Sequence, residues 1–234
     1  MQTDVTPNLI HTEAFATDAA EFILGKARTA IEERGAFRLG LAGGNTPRRI
    51  HAELARLGSD IAWDKVHITF GDERCVPPDH ADSNYRMAKE SLLDSVPIPA
   101  GNVLRLRGEI DPAEAAAEYE RTLAAHAALT GEKRYVHDLL LLGLGPDGHT
   151  ASLFPCSPAL AELERNIMPV IGPKPPPQRL TMTFPLINAA RAICFLVAEA
   201  DKHQVVEEVI AGDSRHPASA VSNATWILGY PARN

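Results

Sequence analysis

Residues 138–155 read DLLLLGLGPDGHTASLFP. The apolar run Leu139, Leu140, Leu141 and Leu142 has no polar face, which predicts a strand covered on both sides, near the centre of a parallel sheet. Gly143, Gly145 and Gly148 follow it. Glycines at a strand end let the backbone turn sharply and approach a ligand closely, and here they leave His149 at the mouth of the loop, well placed for proton transfer. Pro155 and Pro158 prevent a long helix from following directly.

Outward from this strand the chain alternates strands and helices. Apolar spacing predicts a helix over 12–34 stopped by Gly35, a strand over 37–42, and a strand over 66–70. Ser83 is placed to cap a helix carrying Tyr85, Ala88, Leu92 and Leu93. A short strand is expected at 103–106. Asp111 as cap, Pro112 at the first helical position and Glu114 two positions later open a further helix, with Tyr119, Leu123 and Ala127 facing inward. Strands near 167–171, from Arg179 and over 192–198, a helix over 201–211 and a last strand around Trp226 complete the series. Such alternation predicts an α/β fold in one domain spanning 1–234: an open, mostly parallel sheet flanked by helices on both faces, a Rossmann-like three-layer sandwich.

Composition narrows the partners. The 234 residues are 45% hydrophobic, enough for a substantial core. A formal net charge of -7 and a pI near 5.7 offer no general attraction for nucleic acid or anionic membrane, so phosphate would need a local cluster of Arg and Lys. Cys75, Cys156 and Cys194 are odd in number and lack C-x-x-C spacing, against a disulfide framework or structural zinc and in favour of a reducing cytoplasm. The N-terminus MQTDVTPNLI lacks a basic-then-apolar leader and no apolar run reaches about 18 residues, so neither export nor membrane insertion is expected. A monomer or weak homo-oligomer is expected.

Several loops carry candidate chemistry. GGNTP at 43–47 reads as a strand-to-helix turn with Thr46 as N-cap and Pro47 at the first helical position. Its free N–H groups suit an anion or oxyanion, and the same residues also serve as a plain tight connection. GDERCVPPDHADSNY, from Gly71, reads as a charged, proline-rich loop with Asp72, Glu73 and Arg74 at a strand's C-terminal end, either a ligand edge or a solvated charge run. GPKPPPQ, with four prolines, is a stiff loop and a candidate lid. Lys202 in a helix's first turn is locally unfavourable, which points either to a compensating bound anion or to a side chain reaching back to solvent. GLGPDG matches G-x-G-x-x-G, yet Pro155 breaks the helix a dinucleotide fingerprint needs, and the next strand, NIMPVIGP, ends without an acid. No G-x-S-x-G, H-E-x-x-H or phosphate-loop motif is present. No cofactor and no metal are therefore expected. One imidazole, several carboxylates, backbone donors and three cations suit proton-transfer or hydrolytic chemistry on an anionic small molecule.

LAGGNTP, FGDERCVPPDHADSNY and LLGLGPDGHTASLFP, with QRLTMTF and Lys202, resemble the glucosamine-6-phosphate isomerase/6-phosphogluconolactonase family, on its lactonase side, in order from about Gly40 to Lys202. The resemblance implies hydrolysis of 6-phospho-D-glucono-1,5-lactone to 6-phospho-D-gluconate, a step of the oxidative pentose phosphate pathway. His149 is then the general base, since a near-neutral imidazole takes a proton from attacking water at physiological pH, and Asp147 orients the loop or the imidazole. Gly43 and Gly44 are candidate oxyanion donors. Arg74, Arg179 and Lys202 would hold the phosphate and nearby hydroxyls, with Thr46 also on the substrate, and Asp72 either binds sugar hydroxyls or supports Arg74. The related deaminases carry a Glu five residues after the loop histidine for ring opening, and a Tyr after their D-E pair. This chain has Phe154 and Arg74 there. A deaminase-like isomerase and a non-catalytic sugar-phosphate-binding module are the competing readings.

Overall fold

A computed structural model describes residues 8–232. Residues 1–7, which carry most of the N-terminal stretch read as leader-free, and 233–234 lie outside the described residues. The strands of the main sheet are β1 (Asn8–His11), β2 (Phe37–Leu41), β3 (Val66–Phe70), β5 (Leu139–Leu142), β8 (Ile193–Val197) and β9 (Ala224–Leu228). A smaller sheet holds β4 (Asp72–Arg74), β6 (Ile167–Ile171) and β7 (Gln178–Met182). The helices are α1 (Phe15–Arg34), α2 (Asn45–Leu57), α3 (Asn84–Ser91), α4 (Pro112–Ala128), α5 (Phe184–Ile187) and α6 (His203–Ile210).

The main sheet has the order β1-β9-β8-β5-β2-β3, with every neighbouring pair parallel. β5 runs between β8 and β2, and its four leucines are at most 1% exposed, as their unbroken apolarity predicts. Helix ends follow local chemistry. Gly35 at φ +76 stops α1 while its N–H reaches the Ile31 carbonyl. Asp111 caps α4 by accepting from the N–H groups of Ala113 and Glu114, and the Ser83 hydroxyl accepts from Arg86 N–H at α3. Phe15, Ala19, Ile23, Ala27 and Ala30 form the buried stripe of α1.

Several sequence expectations change, and one strand was not anticipated. β1, only four residues long, had no readable pattern of its own. α1 begins at Phe15, not at Thr12. The Asp72–Arg74 stretch is a strand instead of a loop: it pairs antiparallel with β7, matching Asp72 to Thr181, Glu73 to Leu180 and Arg74 to Arg179. Asp72 and Glu73 are buried, so this is no solvated charge run. The 103–106 strand reduces to a single bridge from Val103 to Ile68, because the chain leaves β3 after Leu104 N–H meets the Ile68 carbonyl. The helix expected over 201–211 is α6 alone, preceded by a 3-10 turn over Ala200–Lys202. GPKPPP is the turn of the β6–β7 hairpin, closed by Gly172 N–H on the Pro177 carbonyl at 2.7 Å.

Candidate active site

Because β2, β5 and β8 are neighbours and parallel, their C-terminal ends deliver three loops to one edge: 42–46, 143–149 and 198–202. That edge is where open α/β sheets bind ligands. The small sheet closes the other side with Asp72, Arg74 and Arg179. Between them lies a cleft of about 310 Å³. Gly43, Gly44, Thr46, Asp72, Arg74, His149, Arg179 and Lys202 all line it, so the predicted residues converge although more than 150 positions separate the first from the last. Asp147 stands behind His149.

The loop that carries His149 is a tight turn. Gly145 N–H donates to the His149 carbonyl at 2.8 Å and Gly148 N–H to the Gly145 carbonyl at 3.0 Å. A Cβ at Gly145 would lie 2.1 Å from the His149 ring, and Gly148 has φ +75, so both positions require glycine. Gly143 does not: a Cβ there meets no protein atom within 4 Å, which departs from the expectation that all three glycines shape the turn. His149 Nδ1 lies 2.5 Å from Asp147 Oδ1. An ionised carboxylate only accepts, so Nδ1 carries the proton and a neutral ring presents Nε2 as a base. Nε2 has no hydrogen-bond partner among the described residues. Burial would push the Asp147 carboxyl up, but the hydrogen bond and charge of His149 outweigh it and hold the group below its ordinary range. The Phe154 ring packs on the imidazole at 4.6 Å between centroids, and the Arg179 guanidinium lies 5.8 Å from the same Phe154 ring.

Behind the loop stands a second histidine that sequence reasoning assigned no role. His216 Nδ1 lies 3.2 Å from the Asp147 carbonyl and Nε2 2.6 Å from Glu208 Oε2. Both partners are acceptors, so both nitrogens are protonated. Burial lowers the His216 pKa, but Glu208 and the Asp147 carbonyl outweigh it and the net shift is upward. Glu208 and Asp213 also take the Arg215 guanidinium, at 3.9 and 2.5 Å. This cluster of metal-ligand types is therefore internally paired.

Arg74 and Arg179 are direct cross-strand partners. Like charges placed opposite one another destabilise a sheet, and neither guanidinium has a carboxylate within ion-pair distance among the described residues. Arg74 donates to the Asp82 carbonyl at 2.7 Å and Arg179 to the Lys174 carbonyl at 3.4 Å, while the Nε of each is buried without a partner. Burial, then the Arg74 charge, pushes the Arg179 pKa down. The nearby Asp72 carboxylate is already engaged: Oδ2 accepts from the Ser152 hydroxyl at 2.6 Å and Oδ1 from the Asn84 amide at 2.9 Å. Glu73 is a structural anchor, accepting from the N–H groups of Arg74, Asn84 and Tyr85 and from the Ser83 hydroxyl. Burial raises its pKa against those bonds.

At the third loop, α2 is capped by Gly44 at φ +102, not by Thr46 as expected. Asn45, Thr46 and Pro47 occupy its first turn, where the missing proline N–H costs nothing. The Thr46 hydroxyl instead donates to Glu199 Oε1 at 2.8 Å, and Lys202 Nζ pairs with Glu199 Oε2 at 3.1 Å. Lys202 thus has a protein partner in addition to facing the cleft. Glu199 also lines the cleft and was not anticipated; its three-residue spacing from Lys202 was the one available signal.

The same chain is similar to known proteins over almost its whole length. The family model described as glucosamine-6-phosphate isomerases/6-phosphogluconolactonase matches residues 11–228. A 6-phosphogluconolactonase of Synechocystis sp. is 40% identical over 231 residues, covering 96% of this chain and 95% of the relative. The human 6-phosphogluconolactonase is 40% identical over 194 residues, 80% of this chain and 73% of its own length. The crystal structure of 6-phosphogluconolactonase from Thermotoga maritima superposes with a TM-score of 0.85 at 28% identity, covering 95% of this chain and 99% of that one. With family model, sequence and fold all matched, the chain belongs to the glucosamine-6-phosphate isomerase/6-phosphogluconolactonase family.

Proposed function

We propose that the chain hydrolyses 6-phospho-D-glucono-1,5-lactone to 6-phospho-D-gluconate, with the whole chain as one catalytic domain. The observation that carries this reading is a proton acceptor and an unneutralised pair of guanidiniums facing one cleft: His149 Nε2 on one wall, Arg74 and Arg179 on the other.

The substrate's phosphate sits against Arg74 and Arg179, whose opposed charges a dianion relieves. Lys202 and Thr46 extend the same site. With the phosphate held, the lactone carbonyl lies at the base loop. His149 Nε2 removes a proton from water as its oxygen bonds to C1. Backbone N–H groups at the Gly43–Gly44 turn face the oxyanion of the tetrahedral intermediate. The ring C1–O bond then breaks, the imidazolium returns the proton to the departing C5 oxygen, and the open-chain acid leaves. Asp147 keeps Nδ1 protonated and so keeps Nε2 the reactive nitrogen. Asp72, held by Ser152 and Asn84, fixes the strand that carries Arg74 and presents an edge to sugar hydroxyls. This chemistry calls on no metal or cofactor.

Phe154 favours the lactonase reading over the deaminase one. Its ring packs on His149 at the position where the deaminases are expected to carry the ring-opening acid. Lactone hydrolysis needs only an activated water and a held substrate. The compartment fits a reducing cytoplasm, with Cys75, Cys156 and Cys194 all free, and the assembly we expect is a monomer or weak homo-oligomer. No described helix is long and apolar enough to cross a membrane. A coupled assay that generates fresh lactone and follows its loss against spontaneous hydrolysis tests the reading; no acceleration overturns it, and phosphogluconate binding without turnover would favour a binding module.

A further inference from the structure

The cleft holds three cations, and they are not treated alike. Arg74 and Arg179 face it with no carboxylate partner among the described residues. Lys202 does have one: Glu199, whose two oxygens divide between Lys202 Nζ at 3.1 Å and the Thr46 hydroxyl at 2.8 Å. One carboxylate therefore spans a cation at the start of α6 and a hydroxyl in the first turn of α2, with the acceptor pattern that two phosphate oxygens would present. The Glu199 side chain is 45% exposed against 24% for Lys202, so Glu199 has solvent to retreat into while Lys202 stays in the wall. Burial would raise the Glu199 pKa, but its bonds to Thr46 and Lys202 hold it below the ordinary range.

We propose that Glu199 is a resident counter-anion, exchanged for the substrate's phosphate at Lys202 and Thr46, which limits how tightly the cleft holds phosphorylated ligands. The inference rests on the phosphate site assigned above. Before substrate arrives, Glu199 keeps Lys202 neutralised and in place. When phosphate binds, two anions compete for one ammonium, and the carboxylate yields because Arg74 and Arg179 hold the dianion as well. The exchange costs affinity for substrate and product equally, and it speeds departure of a product that carries both phosphate and a new carboxylate. The opposite role, a carboxylate that aims Lys202 at the phosphate, predicts effects of opposite sign.

Glu199→Gln separates the two, since its amide oxygen still accepts from Lys202 and its amide N–H donates to the Thr46 hydroxyl while the charge is gone. Inorganic phosphate titrated into each protein, read by calorimetry or phosphorus NMR, should bind about fivefold or more tightly to the variant, the effect expected of one like charge removed at close range. KM for the phosphorylated lactone should fall by a similar factor, and by more than KM for glucono-1,5-lactone. Glu199→Ala should tighten phosphate as well. Unchanged or weaker phosphate binding in Glu199→Gln overturns the proposal, as does weakening in Glu199→Ala that Gln rescues. Tightening that persists when Lys202→Ala is added also overturns it, because the exchange is then not at Lys202. The phosphate titration needs no turnover, so lack of lactonase activity would defeat the proposed reaction while leaving the counter-anion directly readable.

Discussion

The two sheets of this molecule contribute opposite kinds of chemistry to one cleft. The parallel sheet supplies tight loops, a helix start, one imidazole held by its own turn, and a lysine already paired with Glu199. The small antiparallel sheet supplies charge, with Arg74 and Arg179 forced side by side by strand register. A parallel sheet orients loops at its carboxyl edge without placing side chains opposite one another there, whereas an antiparallel ladder puts defined pairs face to face. The division puts His149 on one side of the cleft and the unpaired guanidiniums on the other.

The largest effect expected from the division is at the base loop. His149→Ala should lower kcat about a hundredfold or more with little change in KM. A loss confined to KM would place the chemistry elsewhere. On the other sheet, Arg179→Met should raise KM for the phosphorylated lactone about 10- to 100-fold, the range for one lost charge-assisted bond, and leave glucono-1,5-lactone nearly unaffected. Because the variant also relieves the Arg74–Arg179 repulsion, its unfolding midpoint should equal or exceed that of the parent. Equal KM changes on both substrates would move the phosphate off this pair.

Ser152 joins the two sheets. Its N–H donates to Thr181 Oγ1 at 3.1 Å and its hydroxyl to buried Asp72 at 2.6 Å. Ser152→Ala should cost about 2 kcal/mol in urea unfolding, the range for leaving a buried acceptor unpaired. Acid should act on the parallel-sheet side. Burial holds His51 at about 4 and His137 at about 3, both fully enclosed. Below 6.5 the unfolded chain takes up protons at these two positions and the folded chain does not. Stability should therefore fall by about 1.4 kcal/mol per pH unit for each, from 6.5 down to about 4 for His51 and about 3 for His137. Urea midpoints that stay flat from pH 7 to 5 would contradict this.

Most of the parallel half, β1 apart, was legible in the sequence, and so were β6 and β7 of the small sheet; β4 and its pairing were not, for a physical reason. Four consecutive leucines describe their own environment, and a glycine-rich run ending in histidine describes its own tight turn. β4 is three charged residues that become a strand only because residues 179–181, over a hundred positions later, pair with them. Arg74 and Arg179 could each be named as cations, but their opposition is a property of register. Thr46 was misread for the converse reason: Thr-Pro imitates a cap, and Gly44 took that place because its left-handed backbone admits the turn. Glu199 carried no signal of a site on its own, because Thr46 reaches it only through the fold.

α6 touches both ends of the reaction. Lys202 forms its N-cap, and Glu208 within it holds His216, which supports the loop of Asp147 and His149 from behind. In the proposed reaction, one short helix thus links a phosphate contact to the support of the base. If the spacing is fixed this way, a five-carbon phospholactone anchored at the same cations should present its carbonyl short of Nε2 and turn over slowly despite binding well.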